Sequence, residues 1–557
     1  MIYTETQVPR RAYWLLAGLF LVLFVLYLPT VPLSPREAGA ASIAARLWVH
    51  DGAAAAVLRG TRLHPLAIRL FALIAGGVNE WSVRLPGVFG VLAMCVVTLR
   101  VTRREEGRMA GAVAGAAVMS TALVIWQARF AAGQTLAASL VAAAWLSFYW
   151  LGRVRRRWSL MWVVALLLVL LASLETGLRT FVVFYFPLCF MRRPLRIWQR
   201  VLNPVHITAL AVALVAHRFW FHTGVEASAV AVAAVAPVAQ SGSYLGGLVA
   251  YPFWCLCLAL PWPLLAWPGF CAAYRPLEKR SVFTSFLRTL MVPLFLLAWL
   301  VPGMRAAALL PLICPFAALT GVHYEVLVRR HGRELDGILS LIRFAVGVVG
   351  SLAVVGALLH GTKVLQLAEL RQDAWLLAMG ALLGALLLVR FAEVKSPGRG
   401  LWLRLAVAFT AGAVVLGTLY CTLAPIYLFP QRDNGKALAA GVPAGAPVYD
   451  LTAAALPAEL FYLGHPVRHI ASADDLPADE PAVYVLGRAR PPVLETRTWT
   501  ECSRGVRLGE RPEPVLRWRP ESGVLARVEL TWEEVPLGKD SLVRMYRGVR
   551  RSPAGAP

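Results

Sequence analysis

Long apolar runs separated by short basic turns dominate the first 430 residues. The first run covers Tyr13–Val31, and others follow at 84–101, 109–127, 135–152, 158–174, 177–191, 204–222 and 244–273. The pattern resumes at 283–301, 304–322, 337–360, 373–392 and 401–424. A helix needs about 20 apolar residues to cross hydrocarbon, whereas barrel strands are shorter and alternate. The pattern therefore predicts an all-α polytopic membrane domain over 1–429 with about thirteen spans. From Pro430 the chain turns to acids, prolines and short alternating runs. Ala446–Leu451, His465–Ile470, Pro481–Arg488, Val524–Val535 and Ser541–Val549 read as strands, and Ala454–Gly464 reads as a helix ending at its glycine. A small soluble α/β domain over 430–557 follows from this.

Composition agrees: mean hydropathy is +0.63 and only 15% of residues are charged, well below a soluble chain. The net charge of +24 does not form a nucleic-acid surface. It is gathered in short turns at 10–12, 100–108, 153–158, 191–200, 274–280 and 328–333, which alternate with less basic loops. Such turns mark the cytoplasmic side and attract anionic head groups. They place the N-terminus inside, and an odd number of spans then puts the C-terminal domain outside. The Tyr13–Val31 run is longer than a signal-peptide core and reads as an uncleaved anchor. The eight cysteines, Cys255 and Cys257 included, show neither a disulfide framework nor zinc-site spacing. Nucleotide-loop and HExxH patterns are missing as well.

The loop at 32–83 is unusually rich in semi-polar, helix-forming sequence. An acid-bearing turn, Ser34-Pro35-Arg36-Glu37, leads into an amphipathic stretch. A basic turn with Arg59, Arg62 and His64-Pro65 then opens a second short apolar helix. Two readings of each feature stand side by side. Glu37 is either a reactive carboxylate or an acid favoured by the dipole of a helix start. Arg62 and His64 either hold a phosphate or touch lipid head groups. Further on come Gly77–Gly87 (GVNEWSVRLPG) with Arg84, Gln127–Leu140 with Arg129 and Gln134, Leu174–Leu178 (LETGL) with Glu175 and Thr176, and Trp299–Phe316 with Arg305 before LLPLICP.

In this order, these segments resemble the GT-C membrane glycosyltransferases of the protein mannosyltransferase and aminoarabinose transferase group. The resemblance implies a GT-C fold with interfacial helices in the first outer loop. It also implies transfer of a sugar from a polyprenyl-phosphate donor to a lipid, glycan or protein acceptor, at the outer face of a bacterial inner membrane, without a metal or other cofactor. It points to Glu37 as the acceptor base, with Glu175 as a second acid on the same face. Arg36, Arg62, His64, Arg84, Arg129, Gln134 and Arg305 are implied contacts to the donor phosphate or sugar. The chain departs from the family pattern at Arg36 (an acid there), His64 (a lysine), Gln134 (an acid) and Thr176, in the LETGL segment that stands where the family has a Lys-Gly-Pro turn, so that a basic contact is lost. Those departures keep open a carrier-binding protein without catalysis. A transporter is the remaining alternative, weakened by the lack of an internal repeat and by the few charges inside the spans.

Overall fold

The computed structural model describes residues 10–49, 61–222 and 244–341 with short breaks, and from 424 onward the elements named below. The expected spans at 373–392 and most of those at 337–360 and 401–424 lie outside the described residues. Two compact units emerge, the first running to Thr30 and again from Ile43, the second taking in Val31–Ser42 and the chain from Thr422.

The first unit is helical. Its elements are α1 (Arg10–Phe20), the part of α2 (Pro35–Val49) from Ile43 onward, α3 (Leu63–Ala75), α4 (Glu80–Glu105), α5 (Arg108–Ser120), α6 (Ala122–Arg129) and α7 (Gln134–Tyr149). After these come α8 (Trp158–Thr176), α9 (Arg179–Cys189), α10 (Ile197–Val201), α11 (Pro204–His222), α12 (Tyr244–Leu258), α13 (Pro263–Ala266), α14 (Ser281–Leu300) and α15 (Arg305–Arg330). Among the described residues six helices are long and apolar enough to cross a membrane, or up to eight if each bent pair is one span.

Several expected spans take a less regular form, among them 244–273, whose helices at 248–258 and 263–270 are bent by 95°. Tyr13–Val31 becomes α1 followed by a π-helical turn, Leu21–Val25. The run 109–127 becomes the pair α5 and α6, bent by 53°. Here Ser120 and Thr121 donate their hydroxyls back to the Ala116 and Ala117 carbonyls at 2.7 and 2.5 Å, and Thr121 leaves the helix with extended backbone. Such back-bonding competes with the helical ladder and bends it. The run 177–191 contracts to the 11 residues of α9, ending just after Pro187.

α15 is the keystone of this unit. Its Cys314 and Ala317 belong to one buried apolar cluster with α1, α4, α5 and α6, while Ala318, Leu319 and Val322 belong to a second with α7, α8, α9 and α14. Gly321 lets α15 meet α5 at backbone distance, since a Cβ there would lie 2.2 Å from the Ala110 carbonyl oxygen. Small residues permit this close approach where hydrocarbon offers no hydrophobic drive for helices to associate.

The second unit carries α16 (Ala424–Ala439) and strands β1 (Val448–Asp450), β2 (Val467–His469), β3 (Ala482–Gly487), β4 (Arg497–Glu501), β5 (Val506–Arg507), β6 (Pro512–Arg519), β7 (Arg527–Glu534) and β8 (Leu542–Arg550). The main sheet runs β2-β1-β3-β8-β4, with β5 also on β8. β1 pairs parallel with β2 and β3, whereas β8 runs antiparallel to β3 and β4. Every residue of β1 is buried, as a central parallel strand covered on both faces requires. Leu438 of α16 packs with Val448, Leu463, Tyr484 and Leu486. The described end of the Ala454–Gly464 helix stops at Gly464, whose φ of +72° suits glycine. β6 and β7 form a separate hairpin.

Gly321→Ala is expected to lower stability by about 1–3 kcal/mol through overpacking against Ala110. Gly332→Ala, where a Cβ would meet nothing within 4 Å, is expected to be neutral. Thermal unfolding of the two variants in detergent checks the difference.

Candidate active site

Chain direction brings five helix ends together in the first unit. α8 and α11 finish where α3, α7 and α9 begin, and side chains from these ends converge. The start of α3 has an unusual cap. Its N-cap residue, Arg62, contributes no side-chain bond; instead the His64 N–H donates to Glu175 Oε2 at 2.9 Å. A carboxylate 111 residues away thus occupies the positive end of α3, where both the free N–H groups and the dipole favour an anion.

Gly133 makes room for it. A Cβ at that position would fall 2.1 Å from Glu175 Oε1 and 2.9 Å from His64 Cβ. Trp220 fixes the turn before α3 by donating its indole N–H to the Thr61 carbonyl at 2.9 Å. Nearby, Ser173 Oγ and His217 Nδ1 lie 2.9 Å apart and tie α8 to α11. Arg62 is exposed. The His64 ring is the reverse case. Both its nitrogens are buried and neither is hydrogen-bonded among the described residues. Burial pushes its pKa down to about 4, so the ring is neutral around pH 7.

Close to Gly133 in the chain lies a small cleft with a volume of about 10 Å³, lined by Gln134, Thr176, Thr180 and Pro311 among small apolar residues. The Thr176 and Thr180 hydroxyls hydrogen-bond each other. The lining has one amide and two hydroxyls but no charge. Gly133 and Thr180 gave no signal in the sequence, whereas Pro311 belongs to the LLPLICP segment noted there. The first reveals itself only through what it makes room for.

The other implied contacts have different surroundings. Arg84 is fully buried and donates to the Leu28 carbonyl at 2.5 Å; Arg129, equally buried, donates to the Leu23 carbonyl at 2.7 Å. Both carbonyls lie at or beyond the π-helical turn, where a regular ladder no longer satisfies them, and a carbonyl in hydrocarbon needs a partner from the protein. Arg305 opens α15, the helix whose Pro311 lines the cleft. Its guanidinium lies 5.0 Å from the Tyr251 ring centre and donates to the Trp299 carbonyl at 3.4 Å.

Glu37 belongs to the second unit. Ser34 N donates to Glu37 Oε2 at 2.6 Å, and Glu37 N donates to Ser34 Oγ at 3.4 Å, a reciprocal capping box at the start of α2. Arg36 stands in the same first turn. Just before it, the Leu33 N–H donates to the Tyr462 hydroxyl at 2.7 Å, which joins this segment to the C-terminal chain.

The fold is shared with solved membrane enzymes. The crystal structure of ArnT from Cupriavidus metallidurans in the apo state matches with a TM-score of 0.62 at 17% identity, covering 85% of this chain and 92% of that one. The structure of the same protein bound to undecaprenyl phosphate matches equally well. An Archaeoglobus fulgidus oligosaccharyltransferase matches more loosely, with a TM-score of 0.39 at 12% identity over 83% of this chain and 65% of that one. No protein-family model matches the sequence, and no curated protein matches it. The multi-pass GT-C fold expected from the ordered segments is therefore present, shown by shape where overall sequence likeness has faded.

The His64 ring gives a pH signature. Because its folded pKa lies below 6.5, the unfolded chain binds the extra proton first. Stability is then full above pH 6.5 and falls as pH drops toward 4, by up to about 3 kcal/mol. The melting temperature in detergent is expected to decline between pH 7 and 5, and His64→Phe to flatten that decline. An equal decline in both proteins would show that other groups carry it.

Proposed function

We propose that the chain is an integral-membrane glycosyltransferase that moves a sugar from a polyprenyl-phosphate donor to a lipid, glycan or protein acceptor at the extracytoplasmic face. The observation that carries this reading is the group at the start of α3: an exposed cation, a helix N-terminus that holds an anion, and a carboxylate beside an uncharged polar cleft. In the ArnT structure of the same fold, an undecaprenyl phosphate is bound.

The chemistry follows from these parts. Arg62 and the start of α3 hold the donor phosphate, whose charge grows as the glycosidic bond breaks. Gln134, Thr176 and Thr180 offer hydrogen bonds to sugar or acceptor hydroxyls. A carboxylate takes the acceptor O–H proton as that oxygen bonds to the anomeric carbon, and the phosphate leaves with the electron pair of the broken C–O bond. Glu175 is the carboxylate beside these groups. Glu37 remains the candidate drawn from the family resemblance, although its Oε2 already serves the α2 cap. That double duty of both acids as caps favours one other reading, a carrier-binding protein without transfer. The alternation of basic turns puts the N-terminus in the cytoplasm and residues 430–557 outside a bacterial inner membrane.

Transfer of radiolabelled sugar from a polyprenyl phosphate in proteoliposomes tests the reading. Glu175→Gln is expected to lower turnover by roughly 10²-fold or more, while Glu37→Gln loses about 1 kcal/mol of stability at most and keeps turnover. Loss in the Glu37 variant alone would return the base to that residue. Failure of the wild type with every donor would leave carrier binding as the function.

A further inference from the structure

We infer that Glu175 and the donor phosphate compete for one anion site, so that arrival of the donor releases the carboxylate for its work as base. The inference rests on the reading that this site takes a polyprenyl phosphate.

Three observations meet at the start of α3. The helix has 13 residues and no cap from its own N-cap side chain. Its end is taken instead by an anion of the protein itself, the Glu175 carboxylate on the His64 N–H. Beside that bond lies the His64 imidazole, 2% exposed as a residue, with both nitrogens lacking a hydrogen-bond partner among the described residues. A buried polar ring without a partner is costly to leave so, and a phosphate oxygen would supply the acceptor it lacks. The neutral ring donates to that oxygen from one nitrogen and adds no charge. Arg62, exposed and one residue from the helix, supplies the cation that suits phosphate geometry.

A carboxylate and a phosphate cannot share one N–H and one positive pole. The donor is a phosphodiester with one negative charge, equal to that of a carboxylate, but it also pairs with Arg62 and the His64 ring. Its charge rises toward the dianion of a monoester as the glycosidic bond breaks, so that it displaces the carboxylate there. Glu175 also has somewhere to go. Its Oε1 already fills the space over Gly133, and Gln134 and Thr176, the residues next to Gly133 and Glu175, line the cleft. Losing the His64 N–H leaves the carboxylate over Gly133, able to accept from another hydroxyl. At rest it is satisfied and harmless; with donor present it is free to accept. Donor binding thus precedes activation of the acceptor, and the empty enzyme holds its base out of reach of water.

The signature is opposite in sign to that of a structural acid. Titrating the purified full chain with undecaprenyl phosphate, Glu175→Gln is expected to bind at least about fivefold more tightly than wild type even as its turnover falls. Glu175→Asp, which keeps the charge but shortens the reach to His64 N–H, is expected to tighten binding by a smaller factor, and it decides the matter if the Gln variant does not fold. Arg62→Ala is expected to weaken binding about tenfold. Soluble geranyl phosphate, run alongside, is expected to show the same order of variants, which assigns the effect to the head group. Wild-type binding with either Glu175 variant equal or weaker would overturn the competition and leave the donor assignment standing. Binding by neither wild type nor variant would remove the polyprenyl-phosphate reading and the competition with it.

Discussion

Hydrocarbon offers no partner to a free peptide N–H or C=O, and this constraint governs the first unit. At several places where a backbone carbonyl or N–H lacks its helical partner, a polar side chain arrives from a distant part of the sequence. Arg129 and Arg84 take the Leu23 and Leu28 carbonyls. Trp220 takes Thr61, Trp299 takes Leu248 at 2.6 Å, and Trp145 takes Phe184 at 3.2 Å. Arg288 Nε takes Gly269 at 2.5 Å, while the Glu175 carboxylate receives the His64 N–H. Each bond fixes a helix end against another helix, so satisfying the backbone and positioning the elements are one process.

The same constraint explains why the acids are hard to classify. A carboxylate at a helix start is worth having for the helix alone. Glu37 performs that task for its own helix within four residues, and Glu175 performs it for a helix on another part of the chain. The difference matters for chemistry. A local capping box re-forms whenever the helix does, whereas a cap supplied across the fold can be displaced by another anion without unfolding either helix. Such a displaceable contact is what a site needs if its reactive group is to be held back until the substrate arrives.

At the opposite helix ends a second polar group has a purely cohesive character. Glu278 is almost wholly buried, contacts Arg288, accepts the Thr284 hydroxyl at 2.5 Å and lies 3.4 Å from His323. Burial disfavours its charge, but hydrogen bonds from His323, Thr284 and Arg288 outweigh this and hold its pKa below the usual carboxylate range. Nearby Glu106 is pushed up to about 7 by burial and then by the charge of Glu325. Lys279 bridges the two residues, donating to Glu325 Oε1 at 2.5 Å and to the Glu106 carbonyl at 3.5 Å. These bonds knit the connection between α12 and α14 to α4 and α15.

Periodicity and local chemistry were enough to read the apolar helices, Glu37 as an acid in the first turn of a helix, and strands β1, β2, β3, β7 and β8, because each depends on neighbours within a few residues. The order of weak segments was enough to point to the GT-C fold. β4 and β6 escaped notice because their polar and proline-rich runs become strands only through pairing with β8 and β7. The bend at Thr121 hides within an apolar run whose hydropathy is unbroken. Above all, the sequence left Glu175 as one acid on an outer face and His64 as a weak stand-in for a lysine. Only the tertiary structure joined them through a single hydrogen bond across 111 residues, over a glycine whose missing Cβ makes the contact possible. Local pattern records what a segment prefers, whereas the partner of a helix end is chosen by packing between segments.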